Sequence, residues 1–153
     1  MIQFKNILEI NRPVDEVFSF IADFRNLPKW NYFVQKVEKT SSGPIGISTT
    51  YHQVRKTDEQ QFKITVYEPH HRVSIQTIST SPSLTLRFTL NPEGNGTHLV
   101  DEWELESELF GPLDWLASAK VKSAVAAPLS KHKQLLETGQ THLQDGWVTH
   151  VEV

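Results

Sequence analysis

The sequence predicts an α+β fold: a curved antiparallel sheet of about seven strands around a long C-terminal helix, with two short helices after the first strand. Three observations carry this expectation. Runs of alternating apolar and polar residues, separated by turn signals, fill residues 33–107. Apolar residues then recur at threes and fours from 109 to 138, the spacing of one helical face. Pro13 opens a helical pattern directly after the first strand-like run, at a position where its missing N–H costs nothing.

In chain order, residues 2–11 read as a strand, with Phe4, Leu8 and Ile10 spaced two or four apart. Asp15 and Glu16 then occupy a first helical turn, the end that favours negative charge, and Val14, Val17, Phe18 and Ile21 share one face. Asn26, Pro28 and Asn31 break the chain into a second short helix or turn near Trp30. Residues 33–39 form the next strand. Gly43, Pro44 and Gly46 mark a turn, and in 47–56 Thr49, Tyr51 and Gln53 share a side. Phe62, Ile64 and Val66 alternate with Lys63, Thr65 and Tyr67. After Glu68-Pro69-His70, Val73, Ile75 and Thr77 alternate with Arg72, Ser74 and Gln76. Leu84, Leu86, Phe88 and Leu90 alternate with Ser83, Thr85, Arg87 and Thr89, the pattern of a half-buried strand. Asn91 to Gly96 reads as a hairpin loop. In 97–107 one face carries Leu99, Asp101, Trp103 and Leu105, and the other His98, Glu102, Glu104 and Glu106. Strands joined by short turns make a meander. One apolar and one polar face mean a sheet covered on one side. The cover is the 109–138 pattern, kinked at Pro128 and stopped at Gly139. Residues 140–153 have strand propensity around Trp147 to Val153 but no obvious place.

The chain has 153 residues, 15 basic and 18 acidic, for a net charge of -3. That size fits one domain over 1–153, with a core at 2–138 and a tail at 139–153 of uncertain structure. The charge balance gives no support to a nucleic-acid binder. Cysteine is absent, which excludes disulfides, thiol catalysis and zinc–thiolate sites. No stretch approaches the ~20 apolar residues of a membrane span, and Lys5, Asn6 and Glu9 interrupt any signal-peptide pattern. A cytoplasmic location is expected.

The element order, with Pro13 before Val17-Phe18, Asp23 before Pro28-Lys29-Trp30, Gly46 at the head of the third strand, and Tyr67-Glu68-Pro69, resembles the Bet v 1-like or START-like superfamily (SRPBCC), nearest its polyketide cyclase/dehydrase branch. The resemblance covers residues 2–138. It implies a helix-grip fold with a cavity between sheet and C-terminal helix that holds an apolar small molecule. It does not fix an activity, because such a fold hosts many. The tail after Gly139 departs from the pattern, which leaves an extra edge strand or a homodimer contact open.

Polar residues on inward stripes add to the case for a cavity. Thr49, Tyr51, Gln53, Thr77, Asp101 and His132 share faces with apolar residues, and a solid core has little use for groups that each need a partner. The candidate ligand-binding residues are Trp30, Thr49, Tyr51, Gln53, Ile64, Ile75, Thr77, Leu86, Phe88, Asp101, Trp103, Leu116, Lys120 and Ala124. Asp101 and Tyr51 are the candidate catalytic pair, since a carboxylate in an apolar pocket is a weakened acid suited to proton transfer. The plainer alternatives are that Asp101 pairs with Tyr51 or a tryptophan N–H or turns outward, that Tyr51 and Gln53 reach water at a rim, and that Trp30 is a structural plug. His70 and His71 point to opposite faces of an extended segment, so no metal site is expected, and no cofactor.

Three functions compete. The first is a carrier or sensor of a hydrophobic small molecule. Burying ~300 Å² of ligand at ~25 cal/mol/Å² is worth about 7 kcal/mol, and association costs at least ~4 kcal/mol, so useful affinity needs polar anchors. The second is a cyclase or dehydratase using Asp101, Tyr51 and His132. The third is a protein-interaction module with a filled core and an exposed apolar patch.

Overall fold

The computed structural model describes residues 2–31, 34–56, 58–78, 83–106, 130–142 and 148–150. Seven strands form one antiparallel sheet: β1 (Ile2–Ile10), β2 (Val34–Lys39), β3 (Thr50–Arg55), β4 (Glu59–Glu68), β5 (Arg72–Ile78), β6 (Ser83–Glu93) and β7 (Gly96–Glu106), in the order β1-β7-β6-β5-β4-β3-β2. The first strand therefore pairs with the last and β2 forms the far edge, while β2 to β7 follow one another as a meander. Between β1 and β2 lie α1 (Val14–Ile21) and a 3₁₀ helix (Phe24–Lys29).

Helix α1 forms where the sequence predicts it, with Pro13 as the residue just outside. Its φ of -58° already suits the helix start, and its carbonyl accepts from Val17 N at 3.1 Å. Val17, Phe18 and Ile21 are buried, each worth about 1.5–3 kcal/mol relative to exposure. The 3₁₀ helix starts at Asp23, whose carboxylate accepts from the Arg25 backbone N–H at 3.2 Å.

The alternation holds in the middle of β6 and β7 and fades towards Ser83 and Glu106, where Leu84, Trp103 and Leu105 are half-buried like their neighbours. Leu86, Phe88, Leu90, Leu99 and Asp101 are buried, while Arg87, Thr89 and Glu102 are not. Two details differ from the expected pattern. Asn91 and Pro92 continue β6 rather than ending it, and the turn is only Gly94-Asn95 between paired Glu93 and Gly96. Leu90 N donates to His71 O, so the next N–H on that side, at Pro92, would point past the end of β5, and its absence costs nothing. In β4 the register shifts between Ile64 and Val66. Thr65 is the extra residue of this bulge. Beyond it Tyr67, opposite buried Val73, turns to the core in place of Val66.

The core lies on the face bearing Tyr51, Phe62, Ile64, Val73, Ile75, Leu86, Phe88, Leu90 and Leu99. It is packed by Val17, Phe18, Ile21, Phe24 and Leu27 from the two helices, and by Leu135 and Leu136. The last two belong to a helix over residues 130–138, here α2. The remainder of the expected 109–138 helix, including Leu116, Lys120 and Ala124, lies outside the described residues. Arg12 secures the end of α2: its Nε and guanidinium NH2 donate to Leu136 O (3.0 Å) and Glu137 O (3.1 Å). After Gly139, with φ of 85°, β8 (Gln140–His142) pairs with β9 (Val148–His150) as a separate two-stranded sheet. The described parts of the tail, 140–142 and 148–150, thus pair with each other and not with the main sheet. Among the described residues no helix is long and apolar enough to cross a membrane.

Candidate functional site: polar groups on the inner sheet face

Asp101 sits on β7 opposite Asn6 of β1 and Phe88 of β6. It is 1% exposed. Its Oδ1 accepts from the Asn6 backbone N–H at 3.0 Å and its Oδ2 from Trp103 Nε1 at 2.6 Å. Burial pushes its pKa up, and these hydrogen bonds only partly oppose that. The tryptophan N–H alternative read from the sequence is therefore what Asp101 does here. Trp103 lies one inward position along β7 and stacks on Phe4 with centroids 5.6 Å apart.

Tyr51 is fully buried on β3, its ring 5.2 Å from Phe62 and 5.7 Å from Phe24. Its hydroxyl has no hydrogen-bond partner among the described residues. Burial, reinforced by the charge of Asp23, pushes its pKa up to about 12. His132 of α2 is also fully buried, stacked on Phe20 at 5.5 Å and tilted against Trp30 at 5.0 Å. Neither ring nitrogen has a partner among the described residues, and burial lowers its pKa to about 3. Trp30, 5% exposed, is thus a wall of the histidine site.

The other candidates divide into satisfied polar groups and apolar floor. Gln53 Nε2 donates to Gln60 Oε1 at 3.2 Å, Thr77 Oγ1 accepts from Leu84 N at 2.9 Å, and Thr49 Oγ1 accepts from Gly46 N at 2.9 Å. Ile64, Ile75, Leu86 and Phe88 are buried between these groups.

Sequence reasoning missed Asn6, whose Nδ2 is buried and without a partner among the described residues. The signal was present: Asn6 fills the gap in the inward series Phe4, Leu8, Ile10. Gln60 likewise precedes Phe62 and Ile64 at the strand period. Phe24 continues the spacing of Ile21 and centres the aromatic cluster. Another group was not legible at all. Glu9, Glu93 and His98 each bring one potential ligand atom within 4.8 Å of the others on the outer face. They come from three strands, and no sequence spacing joins them. His98 Nδ1 contacts the Glu9 carboxylate and lies 3.7 Å from Glu93 Oε2, and the Glu9 carboxylate beside Glu93 pushes the Glu93 pKa up.

Two pockets of about 250 Å³ open among the described residues. One lies along β1 and β7 and is lined by Phe4 and Trp103 together with Gln3, Lys5, Glu102 and Glu104. The other lies between α1, Ile45 and the Pro69-His70 turn. The cavity expected under residues 116–124 involves a wall outside the described residues.

The seven-stranded antiparallel sheet with short helices after β1 has the Bet v 1-like fold. The chain belongs to the polyketide cyclase / dehydrase and lipid transport family, whose model matches residues 1–137. No curated protein sequence matches. Solved structures share the fold. TTHA0849 from Thermus thermophilus aligns with TM-score 0.71 and 17% identity, over 88% of this chain and 96% of its own. DynU16, from the dynemicin biosynthetic locus, aligns with TM-score 0.69 and 18% identity, over 90% of this chain and 48% of its own. Ara h 8.0201 aligns with TM-score 0.67 and 12% identity, over 88% and 96%.

Proposed function

We propose that this protein binds a hydrophobic small molecule against the inner face of its sheet, in a single domain whose cover is a helix spanning 109–138. In this reading Leu116, Lys120 and Ala124 face the ligand. One observation carries the reading: the Tyr51 hydroxyl, both His132 nitrogens and Asn6 Nδ2 are buried, yet none has a partner among the described residues. Each such group costs about 1–3 kcal/mol. A core that served stability alone would gain by replacing them with apolar atoms. A ligand with its own polar groups offsets the cost. The family's association with polyketides and lipid transport supports an apolar ligand of this kind.

Binding is favoured over proton transfer by the titration of the same groups. A phenol at about 12 and an imidazole at about 3 both stay neutral around pH 7. Both oxygens of Asp101 already accept hydrogen bonds. These groups are suited to holding a polar substituent still.

Native mass spectrometry of the purified protein should show an adduct that is lost on denaturation. Fatty acids and fused-ring aromatics should change tryptophan emission on titration, and Leu86→Trp, which fills space on the inner face, should weaken them at least tenfold. The reading fails if no adduct or probe binds, or if probe binding is untouched by Leu86→Trp in a folded protein.

A further inference from the structure

We propose that Glu9, Glu93 and His98 form a site for one divalent first-row metal ion such as zinc, on the outer face of the sheet. The site lies on the opposite face from the ligand-binding reading above and does not depend on it. Glu9 of β1 stands directly opposite His98 of β7 in the strand register. On the other side of His98 its partner is Asn91 of β6, and Glu93 is the next residue on that face of β6. Glu93 is therefore a diagonal neighbour of His98, within reach of a long side chain. Its own partner across the hairpin is Gly96, which has no side chain to stand between Glu93 and His98. A Cβ at Gly96 would meet the Ile10 carbonyl oxygen at 2.8 Å, so the residue that lets β1 come close also keeps this corner open.

Three donors converge as a result. One atom from each residue lies within 4.8 Å of the other two. His98 Nδ1 touches Glu9 Oε1 and is 3.7 Å from Glu93 Oε2. An ion held at ~2.0–2.2 Å from nitrogen and carboxylate oxygen needs its ligand atoms roughly 3–4 Å apart, which small side-chain rotations supply here. The three residues sit on paired strands, so their backbones are fixed before an ion arrives. Both glutamates are exposed and His98 is partly so, which lets water fill the remaining positions of the ion.

The donor set selects the ion. Two carboxylates held side by side repel one another, and a dipositive ion between them removes that repulsion. The ion pairs of Glu9 and Glu93 both run to His98; Lys133 of α2 also attracts Glu9, more weakly than the imidazole does. Imidazole nitrogen suits zinc, copper and nickel, whereas magnesium and calcium favour shells made of oxygen. As a ligand, His98 presents the Nδ1 lone pair and carries its proton on Nε2. An ion bound there ties β1 to the β6–β7 hairpin.

The test titrates zinc chloride, and magnesium chloride for comparison, into the full chain by calorimetry at pH 7. Zinc should bind at one ion per chain and at least tenfold tighter than magnesium. Substoichiometric copper(II) should broaden the amide resonances around residues 9, 93 and 98 before any others. His98→Gln and Glu93→Gln, both conservative changes on the outer face, should each weaken zinc at least tenfold. His52→Gln, which removes a separate His–Glu pair with Glu59, should leave zinc affinity unchanged. Zinc should raise the thermal midpoint of the parent chain and not that of His98→Gln. Should a site variant not fold, the copper broadening of the parent chain decides alone. Zinc binding that does not saturate below millimolar concentration, zinc affinity that survives both site substitutions, or copper broadening centred elsewhere overturns the site. Equal affinity for zinc and magnesium overturns the assignment to a nitrogen-selected ion.

Discussion

His132 lies on α2 with both ring nitrogens buried and its faces against Phe20 and Trp30. Burial lowers its pKa from 6.5 to about 3. The folded value is depressed, so in the window between those values the unfolded chain binds the extra proton. Stability is lost as pH falls through it. At pH 4 this residue should account for about 3 kcal/mol of that loss. Urea unfolding at pH 7 and pH 4 should show His132→Phe losing less stability than the parent chain by about that amount, and parallel losses would refute the burial of a neutral imidazole. Tyr51 makes the complementary case. Its hydroxyl has no partner among the described residues, so Tyr51→Phe should leave thermal stability unchanged or raised by up to about 1 kcal/mol. A clear loss would mean that the hydroxyl is satisfied. At this scale the sequence was informative about residue type and face: alternation put Tyr51 and Asp101 inward. It was silent on partners, because Trp103 Nε1 and the Asn6 N–H reach Asp101 only through side-chain rotamers and the β1–β7 register.

Among the elements, the β6–β7 hairpin shows how few residues fix a register. Gly94 has φ of 59°, and Asn95 is not among the residues of positive φ. This is the pattern of a type II′ turn, with glycine at the first central position. Gly96 is required for a different reason: an added Cβ would lie 2.8 Å from the Ile10 carbonyl oxygen of β1. At Gly94 a Cβ would meet nothing within 4 Å. Gly94→Ala should therefore cost about 1 kcal/mol, for the left-handed backbone alone. Gly96→Ala should cost about 2 kcal/mol or more, since backbone rather than a movable side chain blocks it. Denaturant unfolding of the two variants ranks them, and the reverse order would contradict the β1–β7 contact. Strand alternation was legible in the sequence here. The bulge at Thr65 was not, because Tyr67 turns inward to match Val73 across the sheet, a demand of the partner strand.

For the molecule as a whole, the N-terminal corner and the C-terminal helix meet at Arg12. Its guanidinium donates to two carbonyls at the end of α2, and Glu137 Oε2 accepts from the Asn11 N–H at 2.6 Å. The carbonyls at a helix end lack intrahelical partners and carry partial negative charge, so a cation there both satisfies and stabilises them. Arg12→Ala should cost about 1.5–3 kcal/mol and speed amide exchange in 130–138 selectively. Uniform exchange across the sheet and helix would argue against this clamp.

The sequence by itself determined the α+β class, the strand order along the chain and the inward stripes, because period-two alternation, turn residues and proline and glycine positions are local physics. Tertiary structure alone decided that β1 closes against β7, that Asn6 meets Asp101 there, that His132 is enclosed by Phe20 and Trp30, and that residues 140–142 of the tail pair with 148–150. Each of these joins residues far apart in the chain, or depends on which packing arrangement buries the most apolar surface. No local pattern records such choices, since the same stripes are compatible with several neighbours until the whole sheet and its cover come together.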